Sequence, residues 1–335
     1  MKYSEEFNNH LDETNEQINI GGALFSPSNV LSSLDETAYL VQYEGWLNTT
    51  KSDNLEESIS YLPTFISKIL HNVLYDFDNH NHRLQLMRTL WEYIVYYVYA
   101  LILGEAIEKN ISLSNIDIVE NNASYKLSLK KIFSEKIAER LLVMQSIQLY
   151  CNNNNITLEV SSFVNDELID SLLSLNQKRN LIQHASAVDE VIAEEICEEL
   201  ILEIQEILFC FRRTSEASLF HYVSSSGSID KCKMRLFKGT NPQNKEICLP
   251  SETLTRVDLF NKNNPFCELR GTYILLSPFI VFSDSVRDKN FPLFLVQKKN
   301  ETKYIYHEFA NTSKVELNPQ LFCKLQIEKI KLLCA

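Results

Sequence analysis

From Leu90 to Leu103 the chain carries a single charged residue, Glu92, and no other stretch limits the possible folds so strongly. A membrane span needs ~20 apolar residues in succession, and Arg88 and Glu92 interrupt this run. The expectation is a buried helix over Arg83–Lys109, enclosed by protein. Tyr93, Tyr96, Tyr97 and Tyr99 crowd the same run. Rings with a polar tip suit a core or dimer interface, which is favoured here over base stacking.

A chain of 335 residues, 45% hydrophobic and 23% charged, has the length for two domains and the composition of a folded protein. Only seven glycines and eight prolines favour helices over a turn-dense all-β chain. Residues 1–22 lack a basic-then-apolar leader, so the expected location is the cytoplasm, with no membrane partner. The eight cysteines form no C-x-x-C pair and read as buried free thiols rather than disulfides or zinc ligands. The net charge of −12 is uneven, because Glu216–Ala335 holds 17 basic and 12 acidic residues, a balance of +5. The acidic front and mildly basic back suit an approach to nucleic acid or contact between oppositely charged parts.

Arg179 and His184 stand five positions apart, with polar Asn180 beside the arginine and apolar Leu181 and Ile182 between. A guanidinium is always charged and matches a phosphate, whereas an imidazole exchanges a proton near neutral pH. The pair suits phosphodiester cleavage. Five helical residues turn through about 500°, so the two side chains diverge by roughly 140° unless the helix starts or bends between them. Two copies facing across a symmetric dimer would pool both arginines and both histidines. The structural alternative has Arg179 bridging to Asp170 or Glu167 and His184 as a satisfied helix histidine.

Arg179-Asn180-x-x-x-His184, with the helix-like Asp166–Leu175 before it and a long amphipathic stretch after it, resembles the HEPN superfamily. That family is all-helical and usually dimeric, and carries an R-x(4–6)-H motif. The resemblance covers about residues 83–213, and Ser186 stands where HepT-type toxins of the family carry a tyrosine. It implies a metal-independent endoribonuclease of a toxin or antiphage defence system, using no cofactor and no metal. Arg179 would stabilise the phosphate, Asn180 orient it, and His184 act as general base or acid. Glu105 would be the acidic residue that some members carry on an early helix, the alternative being a solvated helix-end charge. Lys178 would add to a basic rim. The implied partners are an RNA substrate, a second copy through the helices and a regulatory protein. A non-catalytic dimerisation or interaction subunit is the other function that these helices suit.

The expected fold is α+β: a polar N-terminal arm at 1–32, a helical HEPN-like domain at 33–215, and a β-rich domain at 216–335. The capping box Ser33-Leu34-Asp35-Glu36 predicts a helix to about Leu47. Periodicity predicts helices over Leu62–Phe77, Arg83–Lys109, Tyr125–Tyr150 and from Val188 to Arg213. Asp78–His82 reads as a polar turn, Ser112–Ser124 as a connection and Ile156–Val160 as a short strand. The acidic face of the last helix, Asp189 to Glu206, reads as solvated, the functional alternative being a surface that repels RNA or binds a basic partner. Beyond residue 219, β-rich runs at Phe220–Val223, Cys232–Phe237, Tyr273–Phe282, Pro292–Gln297 and Tyr304–Phe309 predict strands, with Pro278 at an edge or bulge. Gln320–Leu333 fits helix or strand.

Overall fold

The computed structural model describes residues 5–20, 23–34, 38–39, 42, 55–120, 123–183, 189–211, 217–226, 228–250, 256–261, 264–282, 292–299, 303–308, 313–318 and 321–335. Helices concentrate in the first two thirds and sheets in the last third, an α+β chain. Two compact units divide it, Met1–Glu56 and Glu57–Ala335.

The first unit corrects the expected arm. Helix α1 (Glu5–Thr14), the hairpin β1 (Ile18–Ile20) and β2 (Ala23–Phe25), and helix α2 (Pro27–Leu34) are regular elements. Pro27 opens α2, where its missing N–H costs nothing. Asp12 accepts from Ser28 N at 2.8 Å and Ser28 Oγ at 2.9 Å, which fastens α1 to the start of α2. Phe7, Leu11 and Tyr39 form the core, and Tyr39 Oη donates to Asn8 Oδ1 at 2.7 Å. Ser33 falls inside α2 rather than opening a new helix, and the expected stretch to Leu47 lies largely outside the described residues.

In the second unit, Pro63 precedes α3 (Thr64–Tyr75), where its fixed φ suits a helix start. The apolar run is α4 (His80–Glu108), and every residue from Leu90 to Ile107 is buried. It is long and apolar enough to cross a membrane, yet protein covers that whole run, as expected of a core helix. The β3 (Asp117–Glu120) and β4 (Ala123–Lys126) hairpin occupies the expected connection. Alternating rather than helical burial in β3 accounts for it. The single helix expected over Tyr125–Tyr150 is instead α5 (Leu129–Ile132) and α6 (Ile137–Asn153), broken at Phe133–Lys136. Ile156–Leu158 leads not into a strand but into a 3-10 turn over Glu159–Ser162. Then come α7 (Asp166–Gln183) and α8 (Glu190–Cys210).

An antiparallel five-stranded sheet follows, ordered β7-β6-β5-β8-β9, from β5 (Ala217–Ser226), β6 (Ser228–Leu236), β7 (Gln243–Cys248), β8 (Phe266–Leu269) and β9 (Thr272–Leu275). A four-stranded sheet runs in order through β10 (Ile280–Val281), β11 (Leu293–Lys298), β12 (Tyr304–Glu308) and β13 (Ser313–Leu317). Pro278 sits in the turn that splits the expected Tyr273–Phe282 strand, where its missing donor breaks no ladder. The chain closes with helix α9 (Leu321–Leu333).

The boundary expected near 215 falls inside the second unit, because α4 is shared. Helices α3, α6, α7 and α8 pack on it, and so does β9. A Cβ on Gly104 would lie 2.6 Å from Leu275 O and 2.8 Å from Ile274 Cγ2, so glycine alone permits that approach. Phe294 of β11 meets Phe65, Tyr93 and Tyr96 at ring distances of 5.2–5.9 Å. Fully buried Arg140 of α6 stacks on Tyr96 and Tyr99 at 4.4 and 4.9 Å, and its Nη2 donates to Leu295 O at 2.7 Å. Helical and β portions therefore share one core. Gly104→Ala must push β9 away and should cost about 1–3 kcal/mol. Thermal unfolding will show a lower Tm with a single transition; an unchanged Tm would contradict this packing.

Candidate functional site

Arg179 and Asn180 lie near the end of α7, which continues without a break to Gln183. No new helix starts between Arg179 and Gln183. His184 lies outside the described residues, as do the side chains of Arg179 and Asn180.

The two remaining candidates have defined partners. Lys178 Nζ hydrogen-bonds and ion-pairs with Glu203 Oε1 of α8, and that bond raises its pKa. It is a bridge between α7 and α8, not an open basic rim. Glu105 is fully buried, which corrects the solvated reading. Its Oε1 accepts from Glu159 N at 2.7 Å and its Oε2 from Val160 N at 3.0 Å, while Lys109 Nζ stands 3.4 Å away. A carboxylate receiving the first N–H groups of a 3-10 turn satisfies donors that would otherwise be orphaned. Glu105 therefore holds the chain that enters α7. Sequence gave no hint of this, because the donors lie 54 and 55 positions away.

Alongside α7, a cavity of about 520 Å³ is lined by Glu167, Asp170, Ser171, Ser174, Glu203 and Glu206. Its four carboxylates give the α7–α8 groove a negative field. Cys210 feels it: burial first, then Glu167, pushes the thiol up to about 11. Among the described residues no group of three or more His, Cys, Asp and Glu side chains could hold a metal ion.

The acidic face of α8 is exposed, as expected, and several of its acids also have partners. Glu190 Oε1 accepts from His80 N at 2.5 Å and its Oε2 from Asn81 Nδ2 at 3.0 Å, at the positive end of α4. Glu194 lies 3.7 Å from His80 Nε2, and Glu198 pairs with Arg83 at 3.0 Å. These acids cap and clamp α4. The expected polar turn with two histidines is its first turn, where Asn79 accepts from His82 N at 2.8 Å.

All eight cysteines are free thiols, five of them buried and Cys248 exposed. No family model, curated protein or solved structure matches the chain.

Glu105→Ala leaves two backbone donors without acceptors and should cost about 1–3 kcal/mol, lowering the denaturation midpoint; an unaltered midpoint would remove the capping role. Glu190 is a separate case. The His80 N–H holds its carboxyl below the usual carboxylate range. A depressed folded pKa gives stability that is present above the unfolded value and lost as pH falls through the folded one. Glu190→Gln should thus lower the Tm at neutral pH, and the gap to wild type should close through the carboxylate range. A gap independent of pH would contradict the assignment.

Proposed function

We propose that the protein is a metal-independent endoribonuclease of the HEPN type, acting as a homodimer in the cytoplasm within a toxin or antiphage defence system. The observation that carries this reading is that Arg179 and Asn180 fall late in α7, with His184 next after its last described residue in sequence and α8 the next described helix. His184 takes the proton from a ribose 2′-OH or gives one to the leaving 5′-oxygen, and the second copy supplies the complementary role. Arg179 stabilises the phosphate as charge builds in the transition state, and Asn180 orients it. The products are a 2′,3′-cyclic phosphate and a 5′-hydroxyl. DNA, lacking the 2′ nucleophile, is spared.

The acidic groove favours a second reading. Glu167, Asp170, Glu203 and Glu206 would repel an RNA strand lying along α7 and would attract a basic protein surface, as in a non-catalytic interaction subunit.

A fluorescent single-stranded RNA incubated with the purified protein in EDTA separates the two. Cleavage should survive EDTA, disappear on an all-deoxy strand, and fall at least ~10²-fold in His184→Ala and in Arg179→Ala, with folding and dimerisation retained. Wild type that leaves RNA intact, or mutants that cut like wild type, would favour the interaction subunit.

A further inference from the structure

A second cavity, of about 610 Å³, opens where the β3–β4 hairpin, the α5–α6 break and β11 meet. Lys130, Lys131, Lys136 and Lys298 line it with Tyr125, Ser128 and Ser134, and Glu135 and Glu139 stand at the same walls. Four ammonium groups at one concavity are unusual in a chain of net charge −12.

Three of these lysines play different parts. Lys131 is committed to the scaffold: its Nζ lies 3.3 Å from both Glu120 and Glu139 and 5.1 Å from the centre of the Tyr125 ring. It fastens the hairpin to α6 and fixes the cavity's shape. Lys130 is exposed and, among the described residues, forms no ion pair. Lys136, whose side chain is 74% exposed, reaches only Glu139, at 3.6 Å.

Local helix chemistry points the same way. Ser128 stands at the N-cap of α5 without making a side-chain cap bond, which leaves a hydroxyl at the cavity wall. Lys136 stands at the N-cap of α6, again with no side-chain cap bond. Lys136 N donates to Ser134 Oγ at 3.1 Å and Glu139 is the acid of the first turn, so only part of this helix start is satisfied locally. An anion in this cavity would meet the Ser128 hydroxyl and the two exposed lysines together.

We propose that this cavity binds an organic phosphate bearing free hydroxyls, a nucleotide or a sugar phosphate. The phosphate is held by Lys130, Lys136 and the start of α6, with Ser128 as a further donor. Glu135 and Glu139 accept from the ligand's hydroxyls. The volume lies within the ~300–1,000 Å³ of small-molecule sites. The net-negative chain and the confinement of these lysines to one hollow disfavour an extended nucleic-acid track. The proposal does not depend on the ribonuclease reading.

Calorimetric titration of the full chain with ADP, ribose 5-phosphate and inorganic phosphate tests it. ADP or ribose 5-phosphate should bind at one site, about tenfold or more tighter than inorganic phosphate, and more weakly as salt is raised. Lys130→Glu and Lys136→Gln, both at exposed positions, should each weaken binding by about tenfold with an unchanged Tm, while Lys130→Arg retains it. The proposal is overturned if no ligand binds at millimolar concentration, if affinity is the same in Lys130→Glu, or if only an RNA oligomer binds and does so through these lysines. Stronger binding of ADP than of ribose 5-phosphate identifies a nucleotide site; equal binding identifies a sugar-phosphate site.

Discussion

A helix that is apolar on every face cannot sit at a surface, and α4 sets that condition for the second unit. From Leu90 to Ile107 each side chain is buried, Glu92 and Glu105 included. Four helices cannot complete the enclosure, so the sheets finish it. Gly104 admits the backbone of β9, and Phe294 of β11 enters the ring of tyrosines. This explains why a change in sequence texture near residue 215 does not mark a boundary in space: both textures were selected against the same helix. Arg140 makes the joint specific, since its carbonyl acceptors on β11 and its two tyrosine faces lie on different elements.

Helical periodicity located α3 and α8, and an unbroken apolar run located α4, because each extends for several turns. It failed where that pattern was accidental. Leu127, Leu129, Ile132 and Phe133 have helical spacing, yet the chain passes through a strand end, a four-residue helix and a break before α6 begins. Arg140 Nε, accepted by Ser134 O at 2.9 Å, stabilises that break, and the contact is invisible to a window of sequence. Asparagine-rich composition likewise suggested an arm in the first unit, although the residues that order it, Asp12, Phe7 and Tyr39, are scattered singly among polar neighbours. Short strands such as β7 and β13 are mostly exposed or half-buried and carry too few apolar residues to stand out.

The candidate motif was legible as a string, and its surroundings were not. Lys178 and Glu105 read as chemistry because charged residues near a suspected site invite that reading. In the fold both carry local structure, one bridging α7 to α8 and the other holding the turn that leads into α7. The acids of α8 show the same principle from the other side. A row of glutamates without lysines at helical spacing looks solvated, but their cations and N–H donors come from the first turn of α4, more than 100 positions away.

These charges restrict how a phosphate could reach the motif. Glu167 and Asp170 precede Arg179 by nine to twelve residues, a rise of roughly 14–18 Å along α7. A strand following the helix axis would pass Glu167, Asp170 and Glu206, Glu203 being paired with Lys178, and at a Debye length of about 8 Å their repulsion is local to the groove. On the ribonuclease reading, a phosphate would then approach from the C-terminal end of α7. Two copies placed end to end at that junction would bring both arginines to one strand and keep both acidic grooves pointing away from it. A side-by-side pairing along α7 would instead bring like charges together. If the proposed dimer forms, the charges of α7 and α8 would favour the end-to-end pairing.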